Sequence, residues 1–111
     1  MNVNRIDNKI FFNDEEKAFA NITIGKYSVK IELLKVEQAY RGMKLASNLL
    51  SKIISFIKTN ILHVKEIVLS PLPLEKSGLN IDELISFYER YSFIKPYTTP
   101  ISEPFRMVKY I

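Results

Sequence analysis

The stretch from Tyr27 to Thr59 constrains this chain more than any other, because it changes period in the middle. Tyr27 to Val36 is rich in β-branched and apolar residues and reads as a strand. Its alternation sends Val29, Ile31 and Leu33 to one face, and Lys30, Glu32, Leu34 and Val36 to the other. The second face turns apolar only near its end, as expected where a ligand or a helix covers that end. A short polar turn follows. From Met43 to about Thr59, apolar residues at Leu45, Leu49, Leu50, Ile53, Phe56 and Ile57 recur with helical spacing, with Lys44, Ser47, Lys52 and Ser55 among the polar positions. Asn60 is the end signal. A helix of about 17 residues is a rod of roughly 25 Å, long enough to cross a small sheet.

The junction itself carries chemistry. The turn Arg41-Gly42-Met43-Lys44-Leu45-Ala46 places backbone N–H groups at the start of the helix, where they have no intrahelical partner and form a ready anion site. The first turn holds Arg41 and Lys44 but no Asp or Glu. Cations there oppose the helix dipole at roughly 0.3–1 kcal/mol each when exposed. A bound polyphosphate reverses that penalty, so the stretch reads as a pyrophosphate cradle.

The remaining segments read as its support. Residues 1–25 hold two or three strands of a meander: Lys9 to Phe12, a polar turn at Asn13 to Glu16, and Ala18 to Ile24, with Gly25-Lys26 breaking to the hairpin partner that starts at Tyr27. Val64 to Leu69 is a buried strand, stopped by Ser70-Pro71-Leu72-Pro73, since two prolines this close do not continue a central strand. Strand, helix and strand in this order imply a right-handed parallel crossover. The helix N-terminus and the far end of the Val64 strand then lie at the same edge of the sheet. Asn80-Ile81-Asp82-Glu83 has the form of a capping box and opens a second helix, to about Tyr91, that buries Leu84, Ile85, Phe87 and Tyr88 or Tyr91. Phe93-Ile94 restarts an extended segment, and Phe105 to Ile111 is a final strand.

At 111 residues, 47% hydrophobic and 25% charged, the chain fits one globular domain spanning 1–111. No apolar run approaches the roughly 18 residues of a membrane span, and the start Met1 to Arg5 lacks a signal-peptide pattern. No membrane partner is expected. With zero cysteines there is no disulfide or thiolate metal site, which suits a reducing cytoplasm. His63 stands alone and reads as a loop or surface residue, so no metal is expected. The net charge of +4 is spread along the chain without a basic block, and no nucleic-acid partner is expected.

Two motifs resemble the GNAT superfamily of acyl-CoA-dependent N-acyltransferases. The first is an Arg or Gln, two residues, a Gly, one residue, then Gly or Ala, opening the helix after the fourth strand. Arg41, Ala46 and the downstream Leu49-Leu50 match it, and Lys44 stands at the glycine. The second is Phe87-Tyr88-Glu89-Arg90-Tyr91-Ser92-Phe93, which matches the family's Phe/Leu-Tyr-Glu-Lys/Arg-x-Gly-Phe signature except for Ser92 at the glycine. The likeness runs from Tyr27 to Ile94, with a closing strand at 105–111.

The resemblance implies an α+β fold: a mixed, mostly antiparallel twisted sheet of about six strands, with two main helices packed on it and a strand–helix–strand crossover. It also implies transfer of an acetyl group from acetyl-CoA to an amine, on a protein or a small molecule. By the same resemblance, the N–H groups of Gly42, Met43, Lys44, Leu45 and Ala46 take the pyrophosphate, with Arg41 and Lys44 supplying charge. The open edge at Leu34 and Val36 holds the pantetheine arm, and Tyr88 protonates the departing thiolate. At Lys44, a Cβ either crowds the ligand or the ammonium swings outward to pair with a phosphate. Tyr88 alternatively packs at the helix edge with its hydroxyl in water. Glu32 is the better candidate for a general base, ahead of Glu37, against a plain role as a solvated strand charge. The N-terminal part is short for the two helices that commonly cover the acceptor site, so the acceptor groove is open or is completed by a second subunit in a homodimer. A catalytically degenerate module that binds CoA or a protein is the alternative to the enzyme.

Overall fold

Six strands form one sheet in chain order: β1 (Asn2–Ile6), β2 (Lys9–Asp14), β3 (Ala18–Ile24), β4 (Ser28–Val36), β5 (Glu66–Leu69) and β6 (Met107–Tyr110). Helix α1 (Leu45–Asn60) links β4 to β5, and α2 (Ile81–Glu89) lies between β5 and β6. This is a computed structural model describing residues 1–41, 44–71, 80–95 and 106–111. Every neighbouring pair is antiparallel except β4 and β5, which run parallel through the α1 crossover. The parallel crossover is the one that the strand–helix–strand pattern implies, and the mixed, mostly antiparallel α+β architecture is the one that the family resemblance implies.

One face of the sheet makes the core. Ile10 and Phe12 of β2, Ala18, Ala20 and Ile22 of β3, Val29 and Ile31 of β4, Ile67 and Leu69 of β5, and Met107 of β6 are all buried with the inward stripe of α1. That stripe is Leu49, Leu50, Ile53, Ile54 and Ile57. Each such side chain, fully buried, is worth roughly 1.5–3 kcal/mol. Phe56 sits on the flank of the stripe and meets Phe12 edge to face, with centroids 5.3 Å apart. At the C-terminus of α1, Asn60 turns its side-chain amide back to the Phe56 carbonyl at 3.0 Å. His63 is exposed and lies 3.1 Å from the Gly25 carbonyl, the loop role that its isolation suggests.

Strand β4 departs from simple alternation. Its register with β3 pairs Ile31 with Ile22 and Leu33 with Asn21, so Glu32 is an inserted, unpaired residue. This β-bulge resets the parity of the strand. Beyond it, Leu34 and Val36, not Leu33, pack against the core that Val29 and Ile31 enter. The alternation of the sequence puts Leu33 with Val29 and Ile31, and Glu32 with Leu34 and Val36. The bulge overturns both assignments.

The pairing of β4 with β5 is short. It runs from Ser28 opposite Glu66 to Ile31 opposite Leu69 and stops there. Pro71, buried just beyond β5, has no N–H to extend the ladder. Among the described residues, strand β4 therefore continues from Glu32 to Val36 with a partner on its β3 side only. Glu32 lies at the point where the two parallel strands part.

Helix α2 is framed by its caps. The Asn80 side chain accepts the Glu83 N–H at 2.9 Å, and the Glu83 carboxylate accepts the Asn80 N–H at 3.2 Å, completing the capping box. At the other end, Ser92 N–H reaches the Glu89 carbonyl at 3.0 Å and Phe93 N–H reaches that of Tyr88 at 3.3 Å. This paired pattern is a helix-ending motif that needs a left-handed residue, and Ser92 supplies it with φ 69°. Ile94 then exchanges hydrogen bonds with Val108 at 2.8 and 2.9 Å, which ties the chain to β6.

Candidate active site

The open edge of β4 can be read from one hydrogen bond. Glu37 N–H donates to the Lys17 carbonyl at 2.8 Å, across toward β3. Backbone groups alternate sides along a strand, so Leu34 and Val36 turn their N–H and C=O groups to the opposite side, where β5 has ended. The Arg41 side chain confirms the direction: its Nε donates to the Val36 carbonyl at 3.4 Å. Leu34 and Val36 thus offer main-chain groups to whatever enters between β4 and β5, while their side chains rest on the core.

Arg41 reaches this edge because it precedes α1. A short 3-10 turn over Gln38–Tyr40 ends with Arg41 N–H on the Gln38 carbonyl at 3.4 Å. The sequence places Arg41 in the first helical turn, opposing the dipole; the 3-10 turn removes it from there. Gly42 and Met43 lie outside the described residues.

Lys44 is the residue on which α1 begins. It has φ 60° and ψ 22°, a left-handed conformation, and no side chain caps the helix. For a residue with a Cβ this shape costs about 1–2 kcal/mol. Lys44 thus adopts the backbone form that a glycine takes without cost, and it is exposed. The first intrahelical bond is Asn48 N–H to the Lys44 carbonyl at 3.0 Å. The amides of Leu45, Ala46 and Ser47 consequently have no acceptor within α1. The first turn carries no acidic residue. Leu45 and Ala46 point their side chains at the core, so only their main chain faces outward to an anion.

Tyr88 comes from α2. Its ring is 8% exposed and packs edge to face on Phe87, at 5.1 Å, and on Phe93, at 5.7 Å. Burial pushes its hydroxyl up to about 12. Its hydroxyl has no hydrogen-bond partner among the described residues.

Glu32 stands at the parting of β4 and β5, on the bulge, with its carboxylate 3.7 Å from Lys30 Nζ. Its face is therefore not that of Leu34 and Val36. Glu37 is likewise ion-paired, 3.7 Å from Lys35 Nζ.

Tyr91 belongs to the site and is invisible as such in the sequence. Its hydroxyl is hydrogen-bonded to Ser47 Oγ, and it also donates to the Ser47 carbonyl at 3.4 Å. The end of α2 is thereby fastened to the first turn of α1, joining the element that carries Tyr88 to the amide crown. Tyr91 occupies the free position of its motif, where no residue type is specified, and only its helical spacing from Tyr88 hints at a shared face.

A sheet that parts between two parallel strands, with an uncapped helix N-terminus at the same end, defines a GNAT-like fold, and comparison with solved structures shows it. The PaiA N-acetyltransferase of Thermoplasma acidophilum, in complex with coenzyme A, superposes with a TM-score of 0.66 at 18% identity, over 93% of this chain and 60% of that one. A GNAT family acetyltransferase from Elizabethkingia anophelis, with acetyl-CoA bound, gives a TM-score of 0.67 at 15% identity, over 93% and 75%. The anti-CRISPR protein AcrVA5 gives 0.73 at 16% identity and is covered over 96% of its chain by 90% of this one. No protein-family model matches the sequence, and no curated protein matches it either. The kinship is one of fold.

Proposed function

We propose that this protein transfers an acetyl group from acetyl-CoA to an amine by direct attack, the amine being a protein lysine, a protein N-terminus or a small molecule. The observation that carries the reading is that the pairing of β4 with β5 ends at Ile31 and Leu69, at the end of the sheet where the first amides of α1 have no acceptor among the described residues. The fit rests on chemistry this chain supplies. A diphosphate satisfies the amides of Leu45, Ala46 and Ser47 and offsets the absence of an N-terminal acid in α1. An amide-bearing arm pairs with the free edge at Leu34 and Val36 as a strand would. The CoA complexes among the fold neighbours support the same ligand.

Acetyl-CoA would supply the acetyl group as a thioester. The reaction forms a C–N bond, breaks the C–S bond, removes a proton from the amine and returns one to sulfur. The Val36 N–H polarises the thioester carbonyl, and the open edge holds the reacting carbon, so positioning is the principal effect. Glu32, at the apex of the opening, takes the amine proton through water. Tyr88 stays neutral at physiological pH and donates a hydrogen bond to sulfur as charge builds there. Full transfer from a phenol near 12 to a thiolate of conjugate-acid pKa about 8.5 is uphill by about 5 kcal/mol. The proton that finally settles on sulfur is therefore replenished by water. We take residues 1–111 as one domain acting in the cytoplasm, its acceptor side open or closed by a second copy.

The test follows free thiol on mixing the protein with acetyl-CoA and a panel of amines. Tyr88→Phe lowers turnover about 10²-fold with unchanged melting if it serves sulfur; equal turnover removes that role. CoA binding without thiol release on any amine favours the second reading, a catalytically degenerate CoA-binding or protein-interaction module. Two observations favour that module: Arg41 already occupies the Val36 carbonyl, and Lys44 stands at the glycine position.

A further inference from the structure

A second basic site lies away from the amide crown. The second half of α1, the Tyr91-Ser92 turn and β6 enclose an open groove of about 520 Å³. Into it face two lysines, Lys58 and Lys109, and the hydroxyl-bearing residues Ser51, Ser55, Thr59 and Ser92. No carboxylate is among its lining residues. Each lysine has a separate explanation taken singly. Lys58 lies in the last turn of α1, where the helix dipole favours a cation. Lys109 donates from Nζ to the Tyr91 carbonyl at 2.8 Å. Neither explains why both ammonium groups share one concave, carboxylate-free surface. Burial, and then repulsion from Lys58, hold the Lys109 pKa below the usual lysine range. The cost of this arrangement disappears when an anion sits between the two.

We propose that the groove between α1 and β6 binds a phosphate monoester, held by the ammonium groups of Lys58 and Lys109 and by the hydroxyls of Ser55 and Thr59, one helical turn apart. A tetrahedral dianion matches two cations and a fan of short donors, whereas a planar carboxylate uses fewer of them. Lys109 keeps two N–H donors free after its bond to Tyr91. Along α1 the ligating positions Ser55, Lys58 and Thr59 lie about 12–18 Å of helix rise beyond Ser47; Tyr91 borders both places, but none of the proposed phosphate donors belongs to the diphosphate cradle, and the proposal stands whether or not acetyl transfer occurs.

The experiment titrates the isotopically labelled protein with inorganic phosphate at constant ionic strength and follows backbone amide resonances. Saturable shifts at Ser55, Thr59 and Ser92 are expected. In the Lys58→Gln/Lys109→Gln variant the affinity falls at least tenfold, while the response of Leu45 to Ser47 to CoA is unchanged. Lys58→Gln alone, at an exposed position, gives a partial loss and guards against misfolding of the double variant. Shifts confined to the α1 N-terminus, or equal shifts with chloride, overturn the proposal. So does saturation by an acidic peptide with none by phosphate.

Discussion

Lys44 and Ser92 stand at the two motif glycines, and each keeps the glycine backbone shape, with φ 60° and 69°. Ser92→Gly is expected to stabilise the protein by about 0.5–1 kcal/mol, seen as a rise of a few degrees in melting temperature; a fall would show that Ser92 makes a compensating contact. Lys44→Gly should give a similar gain. Tyr88 allows a pH prediction. Its folded pKa of about 12 exceeds the unfolded value near 10, so its contribution to stability is fully present below pH 10. That contribution is lost as pH rises through the folded value, amounting to about 2–3 kcal/mol by pH 12. Alkaline unfolding followed in urea should be shallower in Tyr88→Phe, and an identical profile contradicts the burial argument.

Helices and strands with one buried face were legible because their periods differ. The α1 stripe, the α2 capping box and the strands from β2 onward follow from apolar spacing and caps. Asn80→Ala should cost about 1 kcal/mol in denaturant unfolding, since it removes one half of the observed box. Strand β1 carried no such signal: it is exposed along its whole length and, among the described residues, pairs on one side only. The bulge at Glu32 was hidden by the Leu33-Leu34 doublet, since two adjacent leucines satisfy either parity. Deleting Glu32 removes the inserted residue, makes the β3–β4 ladder continuous from Ile31 to Leu33 and keeps Leu34 and Val36 on the core face, so the melting temperature should change by no more than a few degrees. Loss of the fold on deletion contradicts the register, because that is what removing a residue from a strand of plain alternation does. Tyr91 was hidden for a different reason, because its contact with Ser47 spans two elements far apart in sequence.

At the scale of the molecule, the crossover brings three unrelated pieces to one end of the sheet: the unpaired tail of β4, the crown of α1, and the turn after α2 fastened to it through Tyr91. Among the described residues no helix is long and apolar enough to cross a membrane. Coenzyme A at 100 times its Kd should stabilise the fold by about 2.7 kcal/mol. The most direct measurement is a crystal structure of the protein grown with coenzyme A. The diphosphate oxygens should lie about 2.7–3.2 Å from the amide nitrogens of Leu45, Ala46 and Ser47, with the pantetheine arm along Leu34 and Val36. Density for the nucleotide elsewhere, or an α1 terminus closed by the Lys44 or Arg41 side chain at saturating ligand, would contradict the account.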